Sequence, residues 1–147
     1  MIFREAQLAD IPGMQRVRNS VLENKLSNPA LISYEDYENF ISVRGNGWIC
    51  EEEGIIIGFS VADLTQNNVW ALFVSPGAEG RGIGRELLRL LLQWYFIETR
   101  TNIWLSTAPQ TRAEQFYRKA GWKEVGMQGN EIKFEMTFKQ WDLLRLP

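Results

Sequence analysis

Histidine is absent from all 147 residues. Its absence removes the commonest general base, the Ser-His and Cys-His nucleophile pairs and the commonest metal ligand, so neither triad chemistry nor a metal centre is expected. Cysteine occurs once, at Cys50, which forbids an intramolecular disulfide and fits a reducing compartment. Nowhere do about 18 uncharged apolar residues run together. Met1-Ile2-Phe3-Arg4-Glu5 also lacks the basic-then-apolar pattern of an export signal. The expectation is a soluble, cytoplasmic chain without membrane association. A charge excess is missing too: 16 Lys and Arg against 18 Asp and Glu leave a formal −2, so no nucleic-acid partner is expected, because phosphate-backbone binding rests on many basic contacts.

What is present is globular. The hydrophobic share of 45% and the charged share of 23% suit one soluble domain over residues 1–147, with no repeat, low-complexity tract or linker to divide it. Ile2 to Ala6 reads as an opening strand. Asp10 before Ile11-Pro12 marks a helix start with Asp10 as its N-cap; Met14, Val17, Val21 and Leu22 then recur at helical spacing until Asn28-Pro29 breaks the run. Ser33 to Asp36 has the spacing of a capping box, and Tyr37, Phe40 and Ile41 give a second helix its apolar face, closed by Gly45-Asn46-Gly47. Strand-like Trp48 to Glu51 and Ile55 to Ala62 flank Glu53-Gly54 as a β-hairpin, with Glu51-Glu52-Glu53 as a solvated tip.

Val69 to Val74 is apolar on both parities, as a central strand covered on both faces would be. Ile83, Leu87, Leu90, Leu91 and Trp94 mark the buried face of the longest helix, and Asn102 to Ser106 is the next strand, which together make a right-handed βαβ unit with parallel pairing. Thr111 to Ala120 is a shorter helix ended by Gly121. Trp122 to Val125 restarts the sheet, and Ile132, Phe134, Met136 and Phe138 alternate with polar residues as an amphipathic strand. The ending Gln140 to Pro147 adds Trp141 and three leucines, which either dock on their own domain or seal a homodimer.

The residues of most chemical interest are Glu79-Gly80-Arg81-Gly82-Ile83-Gly84, between the Val69 strand and the longest helix. Glycines let the backbone approach a ligand closely, and the free N–H groups of a helix's first turn, with its dipole, make an anion site. The alternative is a loop whose glycines only make the bend. Arg85-Glu86, not Lys-Ser/Thr, follows Gly84, so this is no P-loop; G-x-G-x-G spacing is no dinucleotide fingerprint. ATP hydrolysis and hydride transfer are therefore unsupported.

Leu72-Phe73-Val74-Ser75-Pro76, Gly80-Arg81-Gly82-Ile83-Gly84 and Arg85-Glu86-Leu87-Leu88 resemble the strand, pyrophosphate loop and helix of the GNAT superfamily of N-acetyltransferases. A second block, Gln110 to Trp122, resembles that family's later helix and following turn. The resemblance covers most of the chain. It implies an α/β fold with a mixed sheet of about seven mostly antiparallel strands, a central parallel βαβ pair and four helices. It also implies acetyl-CoA as co-substrate, an amine acceptor of open identity and no metal.

Under the resemblance, the CoA diphosphate sits on backbone N–H groups from Glu79 to Gly84, and the pantetheine arm pairs along Leu72, Phe73 and Val74 like an added strand. Arg81 and Arg85 either add charge near the phosphates or are solvated helix residues. Two positions depart from the family pattern: Glu79 stands where Gln or Arg is usual, which places an acid near an anion, and Gln110 replaces the Asn that opens the later helix, which weakens the case for a CoA contact there. Tyr117 matches the tyrosine that protonates the departing thiolate, or else anchors its helix to the sheet. The Val69 strand carries no carboxylate, which leaves Glu23 or Asp63 as base candidates, with Ser106 and Thr107 placed to hold a water.

The implied acceptor pocket draws on Leu26, Leu31, Tyr34 and Tyr37 as an apolar wall and on Glu23, Glu35 and Asp36 for the amine. Cys50 reads as a core residue and not an acyl carrier. The rival readings are a CoA-binding sensor or interaction module without transferase activity, and a purely structural α/β interaction protein.

Overall fold

The computed structural model describes residues 1–145; Leu146 and Pro147, the end of the apolar tail singled out above, lie outside the described residues. The chain runs β1 (Ile2–Glu5), α1 (Ile11–Ser20), α2 (Tyr34–Asn39), β2 (Gly45–Glu52), β3 (Ile55–Asp63), β4 (Asn68–Val74), α3 (Ile83–Glu98), β5 (Ile103–Thr107), α4 (Arg112–Lys119), β6 (Lys123–Gln128), β7 (Glu131–Met136) and α5 (Phe138–Leu144). The seven strands form one sheet in the order β1-β2-β3-β4-β5-β7-β6. Neighbours pair antiparallel except β4 and β5, which are parallel. This is the mixed, mostly antiparallel α/β sheet that the sequence leads one to expect.

Helices cover both faces. On one face, Ile83, Leu87, Leu91 and Tyr95 of α3 pack with Ile103, Leu105, Tyr117 and Phe134, and α5 joins them through Phe138 and Trp141. On the other, Ile11, Met14 and Val17 of α1 and Tyr37 of α2 cover Ile49, Phe59, Val61 and Ala71. Each fully buried large apolar side chain is worth about 1.5–3 kcal/mol, so these two layers hold the strands between them. The capping box at α2 is as expected: Ser33 Oγ accepts from the Asp36 N–H and the Asp36 carboxylate accepts from the Ser33 N–H. The β2–β3 hairpin also forms where its turn signal stands.

Four local expectations give way to longer-range contacts. Helix α1 ends at Ser20, well before Asn28-Pro29, and Val21 is already extended. The segment beyond it is drawn to the end of β5, where Asn24 donates to Thr107 Oγ1 at 3.2 Å and accepts from the Ala108 N–H at 3.1 Å. Asp10 precedes α1 but does not cap it with its side chain; the carboxylate instead accepts from both Arg4 Nη atoms and from the Gln7 N–H. Gly45-Asn46-Gly47 opens β2, paired with Asp63, Ala62 and Val61, and does not close α2. The last strand stops at Met136, because Thr137 and Gln140 form a reciprocal capping box that starts α5, so Phe138 is helical and a fifth helix is present. Phe138 and Trp141 then dock this helix on Phe96, with ring centroids 5.7 and 5.1 Å away.

The central parallel pair is short. Only Asn68 and Trp104 are in register between β4 and β5, and beyond that point both strands line a common groove. A shift in the β3–β4 register pairs Val61 with Ala71 but Ala62 with Val69, leaving Trp70 as an extra residue that bends β4.

Since Leu91 is fully buried on α3, we predict that Leu91→Ala lowers the unfolding free energy by about 2–5 kcal/mol in a urea titration. A loss under about 1 kcal/mol would mean that α3 is not seated on the sheet as described.

Candidate active site

The groove between β4 and β5 encloses about 910 Å³. One wall is β4; the glycine turn and the first turns of α3 and α4 make another, and the loop after α1, the end of β5 and the start of β7 complete it. Each part follows from local sequence. Gly80 and Gly82 have φ of +78° and +81°, the left-handed region that costs a residue with a Cβ roughly 1–2 kcal/mol. These two residues fold the chain sharply enough for α3 to begin at Ile83 directly behind β4. Gly82 sits at the N-cap with no side-chain cap, so the first N–H groups of this 16-residue helix remain free to donate to an anion.

Glu79, Gly80, Gly82, Ile83, Gly84 and Arg85 all line the groove, as do Leu72, Phe73 and Val74. Two of the residues foreseen as cofactor contacts do not. Arg81 turns away to the hairpin tip, where its Nη1 and Nη2 meet Glu52 at 3.1 and 2.5 Å; this ion pair holds the Glu52 carboxyl below its ordinary range. The acidic tip is therefore partly neutralised rather than simply solvated, since Arg4 also reaches Glu51 at 3.3 Å. Gln110 takes a left-handed backbone with φ of +62°, and its N–H donates to Glu114 Oε1 at 2.7 Å; it does not line the groove. Glu79, the acid at the anion site, faces Arg112 Nη1 at 3.4 Å across the mouth, so its charge is offset by the first residue of α4. A smaller cavity of about 310 Å³ continues along α4 past Arg112, Gln115, Phe116 and Lys119.

Tyr117 is buried in the groove wall among Phe116, Trp122 and Phe134, with ring centroids 5.2, 5.7 and 6.2 Å away. Burial pushes its phenol well above the usual value, so it stays protonated at neutral pH. The two foreseen bases part company. Asp63 is almost completely buried outside the groove, where Arg44 binds it through Nε at 3.1 Å and Nη2 at 2.6 Å and the Thr65 N–H adds a third bond. Its role is to fix the end of β3. Glu23 does reach the groove, on the loop after α1 rather than on the helix, and accepts from the Arg112 N–H at 3.0 Å, a free donor of α4's first turn.

Besides Arg112, three charged residues not foreseen from the sequence face the groove: Arg18, Lys25 and Glu131. Glu131 accepts from Ser106 Oγ at 2.8 Å, and Thr107 Oγ1 is taken up by Asn24. The alternation in β7 does separate Glu131, Lys133 and Glu135 from the buried Ile132 and Phe134. It does not reveal that β7 lies against β5. Of the foreseen acceptor wall, Glu23 lines the groove, whereas Leu26, Leu31, Tyr34, Tyr37, Glu35 and Asp36 do not; Tyr37 is core, against Phe59 and Trp70. Cys50 is buried, and burial pushes its thiol up, away from thiolate. Among the described residues no group of three or more His, Cys, Asp or Glu is placed to hold a metal, and no helix is long and apolar enough to cross a membrane.

The family model described as the acetyltransferase (GNAT) domain matches residues 44–124. The chain belongs to the GNAT acetyltransferase family. Acetyl transfer from acetyl-CoA is general to GNAT enzymes, and the matched span holds β4, the glycine turn and Tyr117 while leaving out Arg18, Glu23 and Glu131. The fold is shared with ribosomal-protein-alanine N-acetyltransferase from Brucella melitensis, which is 20% identical with a TM-score of 0.75 over 94% of this chain and 100% of that one. It is shared too with PaiA N-acetyltransferase from Thermoplasma acidophilum in complex with coenzyme A, at 17% identity and a TM-score of 0.78 over 93% and 98% of the two chains. The ribosomal-protein-S18-alanine N-acetyltransferase from Escherichia coli is 15% identical, with a TM-score of 0.71 over 92% and 90%. At these identities the likeness is one of fold. No curated protein matches the chain in sequence.

For a GNAT glycine turn built in this way, we predict that Gly82→Val raises the acetyl-CoA Kd by about tenfold, the equivalent of one left-handed residue, while Arg81→Ala leaves it nearly unchanged. Isothermal titration measures both. A greater loss in Arg81→Ala than in Gly82→Val would place the phosphates on the arginine rather than on the turn.

Proposed function

We propose that this GNAT protein transfers the acetyl group of acetyl-CoA to a primary amine by direct attack within a ternary complex. The observation that carries the reading is a single groove that runs from an uncapped helix start at Gly82 to the buried Tyr117. The diphosphate is held by backbone N–H groups from Glu79 to Gly84, with Arg85 adding charge from the same turn. The pantetheine amides pair with β4 at Leu72, Phe73 and Val74, on the edge that β5 leaves free beyond Asn68. Arg112 and Lys119, on the cavity that prolongs the groove, suit the remaining phosphate of the cofactor. Arg81 and Gln110 have no part in this arrangement.

The amine nitrogen attacks the thioester carbon, and the N–H of Phe73 or Val74 stabilises the oxyanion. The C–S bond then breaks, and the thiolate takes the Tyr117 proton. The proton lost by the amine goes to a carboxylate of the acceptor half. Glu131 and Glu23 both line the groove with one carboxylate oxygen already accepting a hydrogen bond, from Ser106 Oγ and from the Arg112 N–H; Glu131, whose partner is a hydroxyl that can turn to hold a water, is assigned the proton, and Asp63, outside the groove, has no access to it. Holding amine and thioester together supplies much of the acceleration. No acyl-enzyme is required, in keeping with the burial of Cys50.

The reading is tested with Tyr117→Phe. The variant is expected to lose about 10²–10⁴ in kcat for thiol release with an acetyl-CoA Kd close to that of the parent. Equal turnover removes Tyr117 from the chemistry. Tight acetyl-CoA binding without turnover of any amine, in parent and variant alike, would favour a binding module over an enzyme.

A further inference from the structure

Helix α1 ends on a charge that the fold does not pair. Its buried stripe Ile11, Met14 and Val17 leads at helical spacing to Arg18, so this side chain is carried inward over the groove-facing side of β4. The Arg18 guanidinium lies 4.1 Å from the centroid of the Phe73 ring, on the strand that carries the thioester in the reading above. Its Nη1 is buried with no hydrogen-bond partner, and no ion pair among the described residues includes it. An unpaired, desolvated cationic donor is costly to keep, and stacking on one aromatic face compensates only part of that cost. Arg44, likewise half-buried and stacked on an aromatic ring, does pair with a carboxylate, Asp63.

The groove also supplies the complementary sign. Glu131 lines it from the start of β7 and is held by Ser106 Oγ, and like Arg18 it forms no ion pair among the described residues. An amine that gives its proton to Glu131 as it attacks the thioester would therefore have the Arg18 guanidinium in the same groove. Both residues lie outside the span matched by the GNAT family model.

Resting on the acetyltransferase reading, we infer that the acceptor is a free amino acid, whose carboxylate pairs with Arg18 while its amine faces Glu131. A charge-assisted hydrogen bond to a carboxylate is directional and roughly twice as strong as a neutral one. A site built around such a bond also rejects the analogue that cannot make it. A peptide N-terminus, whose carboxyl has become an amide, and a simple alkylamine both leave Arg18 without a partner.

The test measures thiol release from acetyl-CoA with each of the common amino acids and with its α-amide. At least one amino acid is expected to exceed its amide in kcat/KM by tenfold or more, corresponding to about 1.4 kcal/mol. Arg18→Gln is expected to erase that preference by raising KM for the acid, with the acetyl-CoA KM retained as evidence of an intact fold; Arg18→Lys is expected to restore part of it. Amides or dipeptides turned over as well as acids by the unaltered protein overturn the inference, and that comparison needs no variant. So does a preference that survives in Arg18→Gln. If acetyl-CoA does not bind, the transferase reading falls by itself. Thermal shift by the same amino acids without cofactor still decides the role of Arg18: a shift lost in Arg18→Gln upholds it, and the absence of any shift in the unaltered protein overturns it.

Discussion

Strands β4 and β5 are in register at Asn68 and Trp104 and at no further pair. A parallel pair in the middle of a sheet would ordinarily continue, because backbone groups left without partners inside a protein are costly. Here the ladder stops after one pair, with the Trp104 N–H on Asn67 O at 3.0 Å and the indole Nε1 on Gln66 O at 2.9 Å fixing the point of contact. The β4 edge from Trp70 to Val74 is then open toward β5, and the groove is the space this leaves. Every functional element is placed by that divergence: α3 starts behind the free end of β4, α4 starts behind the free end of β5, and the loop after α1 crosses to Thr107 and Ala108.

The two halves of the groove differ in their physics. The proposed cofactor half relies mainly on backbone: left-handed Gly80 and Gly82, an uncapped helix start and an unpaired strand edge, with Arg85, Arg112 and Lys119 adding charge. At its mouth Glu79 pairs with Arg112, while Arg81 turns outside to Glu52. The proposed acceptor half is made of side chains, Arg18, Glu131, Ser106 and Phe73, drawn from four elements. A backbone cradle tolerates sequence change, whereas a side-chain pocket changes with every substitution.

That division also explains what could be read from the residues alone. The glycine turn, the hairpin, the Ser33 box and the long amphipathic α3 were legible because each is encoded within a few positions. The end of α1 was not, since Val21 and Leu22 keep helical spacing and only the remote partners of Asn24 pull the chain away. The Thr137–Gln140 capping box of α5 is masked in the sequence by an alternation that Phe138 happens to continue. Asp63 looked like a base because nothing local shows that Arg44, 19 residues away in sequence, claims both its oxygens. Glu131 was hidden by the order β5-β7-β6, which inserts the last strand beside β5 ahead of the one that precedes it in sequence.

The central claim is that the divergent edge of β4, the glycine turn and Tyr117 form one cofactor site, and a crystal structure with bound CoA tests it most directly. The account predicts diphosphate oxygens within hydrogen-bond distance of N–H groups between Glu79 and Gly84, pantetheine amides on the β4 backbone and the thiol beside the Tyr117 hydroxyl. CoA bound elsewhere, or bound with its thiol remote from Tyr117, would contradict it.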